Sequence, residues 1–211
     1  MAAAGARAPT DLTDRPLQPR GSRLARALLR LAGWRLVFDG LPARQGVVIV
    51  HPHTSNWDFV VGVLAKWGMG LQVVFWGKDS LFRVPLLGRW LRYLGGVPVD
   101  RKQPGRTVDD MVQRMGDARR RDEVLWLVLA PEGTRSAGGG WRSGFYRVAV
   151  GADVPLAVAH LDFGRREVGI FACLRLCGDP DADLAGIARR SAGVRGYRPH
   201  LASPIRWFKR P

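Results

Sequence analysis

Residues 51–58 read HPHTSNWD, placing two imidazoles, His51 and His53, shortly before a carboxylate, Asp58. Three kinds of chemistry use such a set. As a capping box, Ser55 would cap the following helix and Asp58, three residues on, would reach back, with Asp where Glu or Gln is usual. That cap is worth about 1 kcal/mol and leaves His53 without a role. As a metal site, His51, His53 and Asp58 would converge, since an H-x-H pair on a strand points to one side. A catalytic zinc needs a further firm ligand and partners behind it, and His160 and His200 have no evident spacing relation to the pair. As a base, His53 would donate a hydrogen bond from one ring N–H to Asp58, which fixes the tautomer and stabilises the imidazolium, while the other nitrogen takes a proton from a hydroxyl. Such help is worth roughly 10²- to 10⁴-fold in rate. H-x-x-x-x-D on its own recurs by chance and does not choose among the three.

A second polar cluster, PEGTRS at 131–136, follows the apolar run LWLVLA just as HPHTSNWD follows VVIV. Ligands of open α/β sheets bind at the carboxyl ends of strands, so both clusters are expected on one sheet edge and able to share a site. The elements that must position them alternate along the chain. Strands are expected at 46–50, 71–76, near 96, and at 123–130, 154–162 and 167–176. Helices are expected from Trp57 to about Lys66, and over 80–94, 107–121, 143–151 and 181–193, with an irregular last dozen residues. This spacing predicts a single-domain α/β sandwich with a largely parallel central sheet flanked by helices.

Ahead of these lies SRLARALLRLAGWRL, a basic amphipathic helix expected within residues 21–36. Leu24, Leu28 and Leu31 fall at helical spacing, with Arg23, Arg26 and Arg30 between them. Such a helix either lies in a membrane interface or packs its leucines on the domain. Residues 1–20 read as a disordered leader; they lack the apolar centre of a secretory signal and carry Asp11 and Asp14. Lys66 interrupts the best apolar stretch, so nothing reaches the about 18 residues of a spanning helix, and the expectation is a soluble or membrane-surface protein.

The net charge is +15, with 29 Arg against 4 Lys. That surface suits an anionic partner: nucleic acid, anionic lipid, a phosphorylated substrate or an acidic carrier protein. A nucleic-acid-binding module would interleave basic residues with exposed aromatics, whereas the eight tryptophans sit mostly in apolar periodic runs, so specific nucleic-acid binding is not expected. Cys173 and Cys177 lie in a strand-like apolar run and read as core residues in a reducing compartment.

Taken in order, His53-x-x-x-x-Asp58, Gly96-Val97-Pro98-Val99-Asp100-Arg101, Pro131-Glu132-Gly133-Thr134-Arg135-Ser136 and Val154-Pro155-Leu156 resemble the four blocks of the glycerolipid acyltransferase superfamily, which includes the 1-acylglycerol-3-phosphate acyltransferases. The resemblance spans roughly residues 45–160; the third block is highly specific and the fourth weak. It implies an acyltransferase domain over 37–211, with His53 the catalytic base and Asp58 its partner. It also implies an acyl thioester donor, acyl-CoA or acyl carrier protein, and a phosphorylated or lipid acceptor. No metal and no cofactor beyond the donor are implied, and the protein is expected at the cytoplasmic face of the cell membrane, held by anionic lipid. No G-x-S-x-G elbow is present, consistent with direct attack on the thioester. Arg101, Glu132, Gly133, Thr134 and Arg135 resemble the residues that hold the acceptor's polar head, and Lys78 is a further candidate for that anionic pocket. An arginine fork suits a phosphate. The bland readings are an Asp100 ion pair or solvated turn for Arg101 and a cap for Glu132. Pro52, Pro98 and Ala130 depart from the commonest forms of the blocks, which bears on the acceptor's identity more than on the reaction. The other outcomes are a different lipid or non-glycerol acceptor, and a member that binds lipid without turnover. The residues His53, Asp58, Glu132 and Arg135 argue against the latter. His51 matches no catalytic position and reads as a supporting residue.

Overall fold

The computed structural model describes residues 8–99 and 104–208. Among these, eight strands form one sheet flanked by seven helices. Five parallel strands make its centre, in the order β7 (Leu156–Asp162), β3 (Gln45–His51), β6 (Leu125–Leu129), β4 (Val73–Lys78), β5 (Gly96–Val99). Beyond β7 lies β8 (Glu167–Arg175), antiparallel to it, and β8 in turn carries β1 (Thr10–Asp11) at one end and β2 (Arg35–Val37) at the other. The expected α/β sandwich with a largely parallel sheet is what forms.

Strand alternation sorts the core into two layers. Val47, Ile49, Leu125, Leu127, Leu156 and Val158 face the helices α5 (Pro104–Arg120), α6 (Gly144–Gly151) and α7 (Pro180–Arg190). Val48, Trp126, Ala157 and Ala159 face the other way, against α1 (Arg23–Leu31) and α2 (Trp57–Met69). On that side the Trp126 ring lies directly over Gly46, where a side chain would have no room.

Several expectations are corrected. The helix expected to run to residue 36 ends at Leu31, because Gly33 takes a left-handed φ of 76° and the Trp34 amide turns back to the Leu29 carbonyl. Arg35–Val37 is then free to pair with β8. The stretch 80–94 is two helices, α3 (Asp79–Phe82) and α4 (Pro85–Tyr93), because Pro85 cannot continue a helix and starts the next one instead. Residues 8–20 are laid against the domain rather than forming a disordered leader. Thr10 and Asp11 pair with β8, Leu17 bridges Leu41, and Arg190 grips both oxygens of Asp11, holding that carboxyl below its ordinary value.

In α1 the buried residues are Ala25 and Leu29, while Leu24, Leu28 and Leu31 are 69%, 43% and 84% exposed. The leucine stripe therefore does not pack on the domain. No helix among the described residues is long and apolar enough to cross a membrane.

Candidate active site

The parallel pairing of β3 with β6 brings HPHTSNWD and PEGTRS to adjacent loops on one edge, as expected. The His51–Pro52 peptide bond is cis, and the chain then turns so that His53 and Asp58 meet across the start of α2. His53 Nδ1 lies 3.1 Å from Asp58 Oδ2. The same oxygen accepts the backbone N–H of Thr54 at 2.6 Å and of Ser55 at 2.8 Å, while Ser55 Oγ accepts the Trp57 amide at 3.1 Å. Half of the capping box is thus present in its usual form: the carboxylate reaches back to the Ser55 amide, although the helix proper begins after Asn56. Capping and base pairing are served by one carboxylate oxygen, which fixes Asp58 before it can orient His53.

Asp58 is 2% exposed, whereas the His53 side chain keeps 21% of its surface open. With Nδ1 turned to Asp58, His53 presents Nε2 to the loop of the second cluster, where Arg135 Nε donates to it at 3.2 Å. That geometry holds the tautomer a base needs: proton on Nδ1, lone pair on Nε2. His51 turns elsewhere. Its Nδ1 lies 2.7 Å from Glu132 Oε1, so the two histidines serve two different carboxylates rather than one metal-ligand set. No group of three or more metal-ligating side chains occurs among the described residues.

His53 and Asp58 line a groove of about 1690 Å³ that runs between α2, α4 and the ends of the central strands. Apolar side chains such as Phe59, Phe75, Leu87, Trp90 and Leu91 form much of its wall. Lys78, Gly133, Thr134 and Arg135 all line it, and Lys78 pairs in register with Val99 at the end of the second block. Gly133 has φ 66°, a conformation that suits glycine and lets the Arg142 guanidinium approach the turn. Arg101 lies outside the described residues. Glu132, which the resemblance places on the acceptor's head, is 4% exposed and absent from the groove wall, its carboxylate turned to His51. The fourth block lies remote from these loops: Leu156 begins β7 at the opposite end of the sheet, and just before it the Pro155 carbonyl accepts the Val47 amide.

Two contributions escape the motif reading. Arg142 joins the cationic rim with Arg135 and Lys78, its guanidinium 5.3 Å from the Phe208 ring centroid. Residues 194–208, of which those from 200 on are expected to be irregular, form a strap across both loops. The Arg198 amide donates to Thr54 Oγ1, the Ser203 hydroxyl accepts the Gly138 amide, and the Arg206 carbonyl accepts the Trp141 amide. Trp141 and Trp207 bridge one another, and the apolar Ile205, Trp207 and Phe208 near the end of the chain were the available signal.

Lys66, on α2 beneath the groove, donates to the Leu94 carbonyl at 2.9 Å, and burial pushes its pKa down. His160, the register partner of His51 on β7, is buried against Phe171 with Nε2 3.1 Å from Ser191 Oγ; burial, then the neighbouring His51, pull its pKa down to about 4.

Comparison with known proteins agrees with the motif reading. A segment of 67 residues is 33% identical to the 1-acyl-sn-glycerol-3-phosphate acyltransferase of Streptococcus pneumoniae (strain ATCC BAA-255 / R6), covering 31% of this chain and 25% of that protein. The crystal structure of the 1-acyl-sn-glycerophosphate (LPA) acyltransferase PlsC from Thermotoga maritima superimposes with a TM-score of 0.46 at 17% identity, over 71% of this chain and 65% of that one. The chain thus spans about a quarter of the first relative and less than two thirds of the second. Residues 37–159, more than half of the sequence and including the HPHTSNWD and PEGTRS loops, match the acyltransferase family, and the chain belongs to the glycerolipid acyltransferase superfamily.

Proposed function

We propose that the protein moves a fatty acyl group from an acyl thioester, acyl-CoA or acyl carrier protein, to a hydroxyl of a glycerophospholipid precursor such as 1-acylglycerol-3-phosphate. The observation that carries this reading is the His53 ring, held on Asp58 by Nδ1 with Nε2 directed into a largely apolar groove rimmed by cations. The acceptor's hydroxyl oxygen attacks the thioester carbonyl carbon while its proton passes to His53 Nε2. Asp58 stabilises the imidazolium so formed. Collapse of the tetrahedral intermediate breaks the carbon–sulfur bond, and the proton on His53 leaves with the thiolate as the free thiol. Arg135 must give up its bond to Nε2 for this to happen, and a phosphate on the acceptor offers its guanidinium a stronger partner. Lys78 and Arg142 add charge to the same rim. The apolar wall of the groove suits the acyl chain.

The protein works on a membrane surface in this reading. Leu24, Leu28 and Leu31 on α1 and Leu86, Trp90 and Tyr93 on α4 are exposed at helical spacing, with Arg23, Arg30 and Arg89 beside them, a composition suited to an anionic cytoplasmic leaflet. A donor-by-acceptor screen on anionic vesicles tests the whole assignment. His53→Ala should abolish thiol release and ester formation in a protein that still folds; retained turnover would remove His53 as the base.

A further inference from the structure

Behind the His53–Asp58 pair stands a second imidazole–carboxylate pair that the acyl-transfer chemistry does not use. His51 is 5% exposed and sits at the end of β3, in register with His160 on β7, its ring 5.1 Å from that of Trp141. It meets Glu132 Oε1 at 2.7 Å. The same Glu132 oxygen accepts the backbone N–H of His53 at 3.2 Å, whereas buried Oε2 has no hydrogen-bond partner among the described residues. The orientation of this carboxylate therefore depends on two donors at one oxygen, and His51 makes the shorter contact.

We propose that His51 is a positioning residue for His53, acting through Glu132. Asp58 fixes the His53 ring from the α2 side. Glu132 fixes the His53 backbone from the β6 side, and His51 keeps Glu132 in place to do so. This gives Glu132 a role different from the one the resemblance implies: it ties the PEGTRS loop to the base rather than binding the acceptor. With His51 gone, the His53 amide alone would hold a carboxylate whose other oxygen is free to swing. A misplacement of order 1 Å at a reacting group costs about a hundredfold in rate. The inference rests on the assignment of His53 as the base.

Side-chain isosteres separate this role from simple packing. In His51→Asn the amide nitrogen takes the place of imidazole Nδ1 and can still donate to Glu132. In His51→Gln the amide nitrogen takes the place of Nε2 and cannot. Steady-state kinetics on folded protein, quantified by circular dichroism, should give a kcat for His51→Asn within about threefold of the parent. His51→Gln should lose about ten- to a hundredfold in kcat, with KM for the acceptor within about twofold, because no groove cation has moved. Equal kcat for the two variants, or a loss confined to KM, overturns the proposal. His53→Ala measured alongside keeps the two questions apart: activity there refutes the base assignment, whereas an inactive His53→Ala with equal Asn and Gln variants refutes only the role of His51.

Discussion

Replacing Asp58 by asparagine should separate its two duties. Its Oδ2 accepts two backbone amides and the His53 ring. Asparagine keeps an oxygen for all three but removes the charge that stabilises the imidazolium. Across 3.1 Å, with an effective dielectric of about 20, that attraction is about 332/(20 × 3.1), roughly 5 kcal/mol, or nearly four decades in rate. This is a ceiling, because His53 is 21% exposed and solvent screens it, and a neutral hydrogen bond survives. The expected fall in kcat is roughly 10²- to 10³-fold. Stability should change little by comparison, by no more than about 2 kcal/mol, since the bonds weaken without being lost. Asp58→Ala should lose the rate and also orphan the Thr54 and Ser55 amides, which lie on residues 1% and 9% exposed. At about 1–3 kcal/mol for each stranded amide, it should be a few kcal/mol less stable than the asparagine variant. Thiol release from the donor at saturating acceptor gives kcat, and urea unfolding gives the stabilities. An asparagine variant with parental kcat, or equal stability for the two variants, would refute the reasoning.

Three further outcomes are expected. His160 has its folded pKa pulled from 6.5 to about 4, so between these values the unfolded chain binds more protons and stability falls as the pH drops. The contribution is about 3 kcal/mol, so the urea midpoint should fall less steeply from pH 7 to 4.5 in His160→Gln than in the parent; parallel slopes would refute it. In Gly46→Ala the new methyl would stand 2.3 Å from the Trp126 ring, which is 1% exposed and held by its indole N–H to the Ala43 carbonyl. A loss of about 1–3 kcal/mol in thermal or urea unfolding follows, and an unchanged midpoint would show that the ring can yield. Glutamates at Leu24, Leu28 and Leu31 should abolish sedimentation with anionic vesicles, while stability stays within about 0.5 kcal/mol because these side chains are exposed. Undiminished vesicle binding would mean that α1 does not anchor the protein.

The parts of the molecule legible in the sequence are those in which residue type and period speak locally. VVIV and LWLVLA announce buried strands, and the polar residues after each lie on a common edge because the strands are parallel neighbours. His53 and Asp58 meet as their spacing suggests because a single tight turn separates them. Glu132 could not be placed the same way. Nothing near position 132 marks His51 as its partner, since that contact crosses 81 residues and depends on the register of β3 with β6. The end of α1 is hidden in the sequence because the helical period continues through Trp34 and Leu36, while Gly33 stops the helix with a backbone conformation that periodicity does not weigh. The pairing of Thr10 and Asp11 with β8 was invisible for a similar reason: two residues carry no pattern, and their partner lies at the far end of the chain.

The strap over 194–208 sets an order of events in folding: the loops precede their ties by many residues. Thr54 waits for the amide of Arg198, 144 residues later, and the Gly138–Trp141 stretch waits for Ser203 and Arg206. The central sheet can pair and bury its two layers while both loops still lack their outer ties, because every strand and helix of those layers precedes residue 194. A chain whose sheet has formed but whose strap is still undocked therefore already holds His53, Asp58 and Arg135 on a common edge. What it lacks is the clamp that makes one site of two loops.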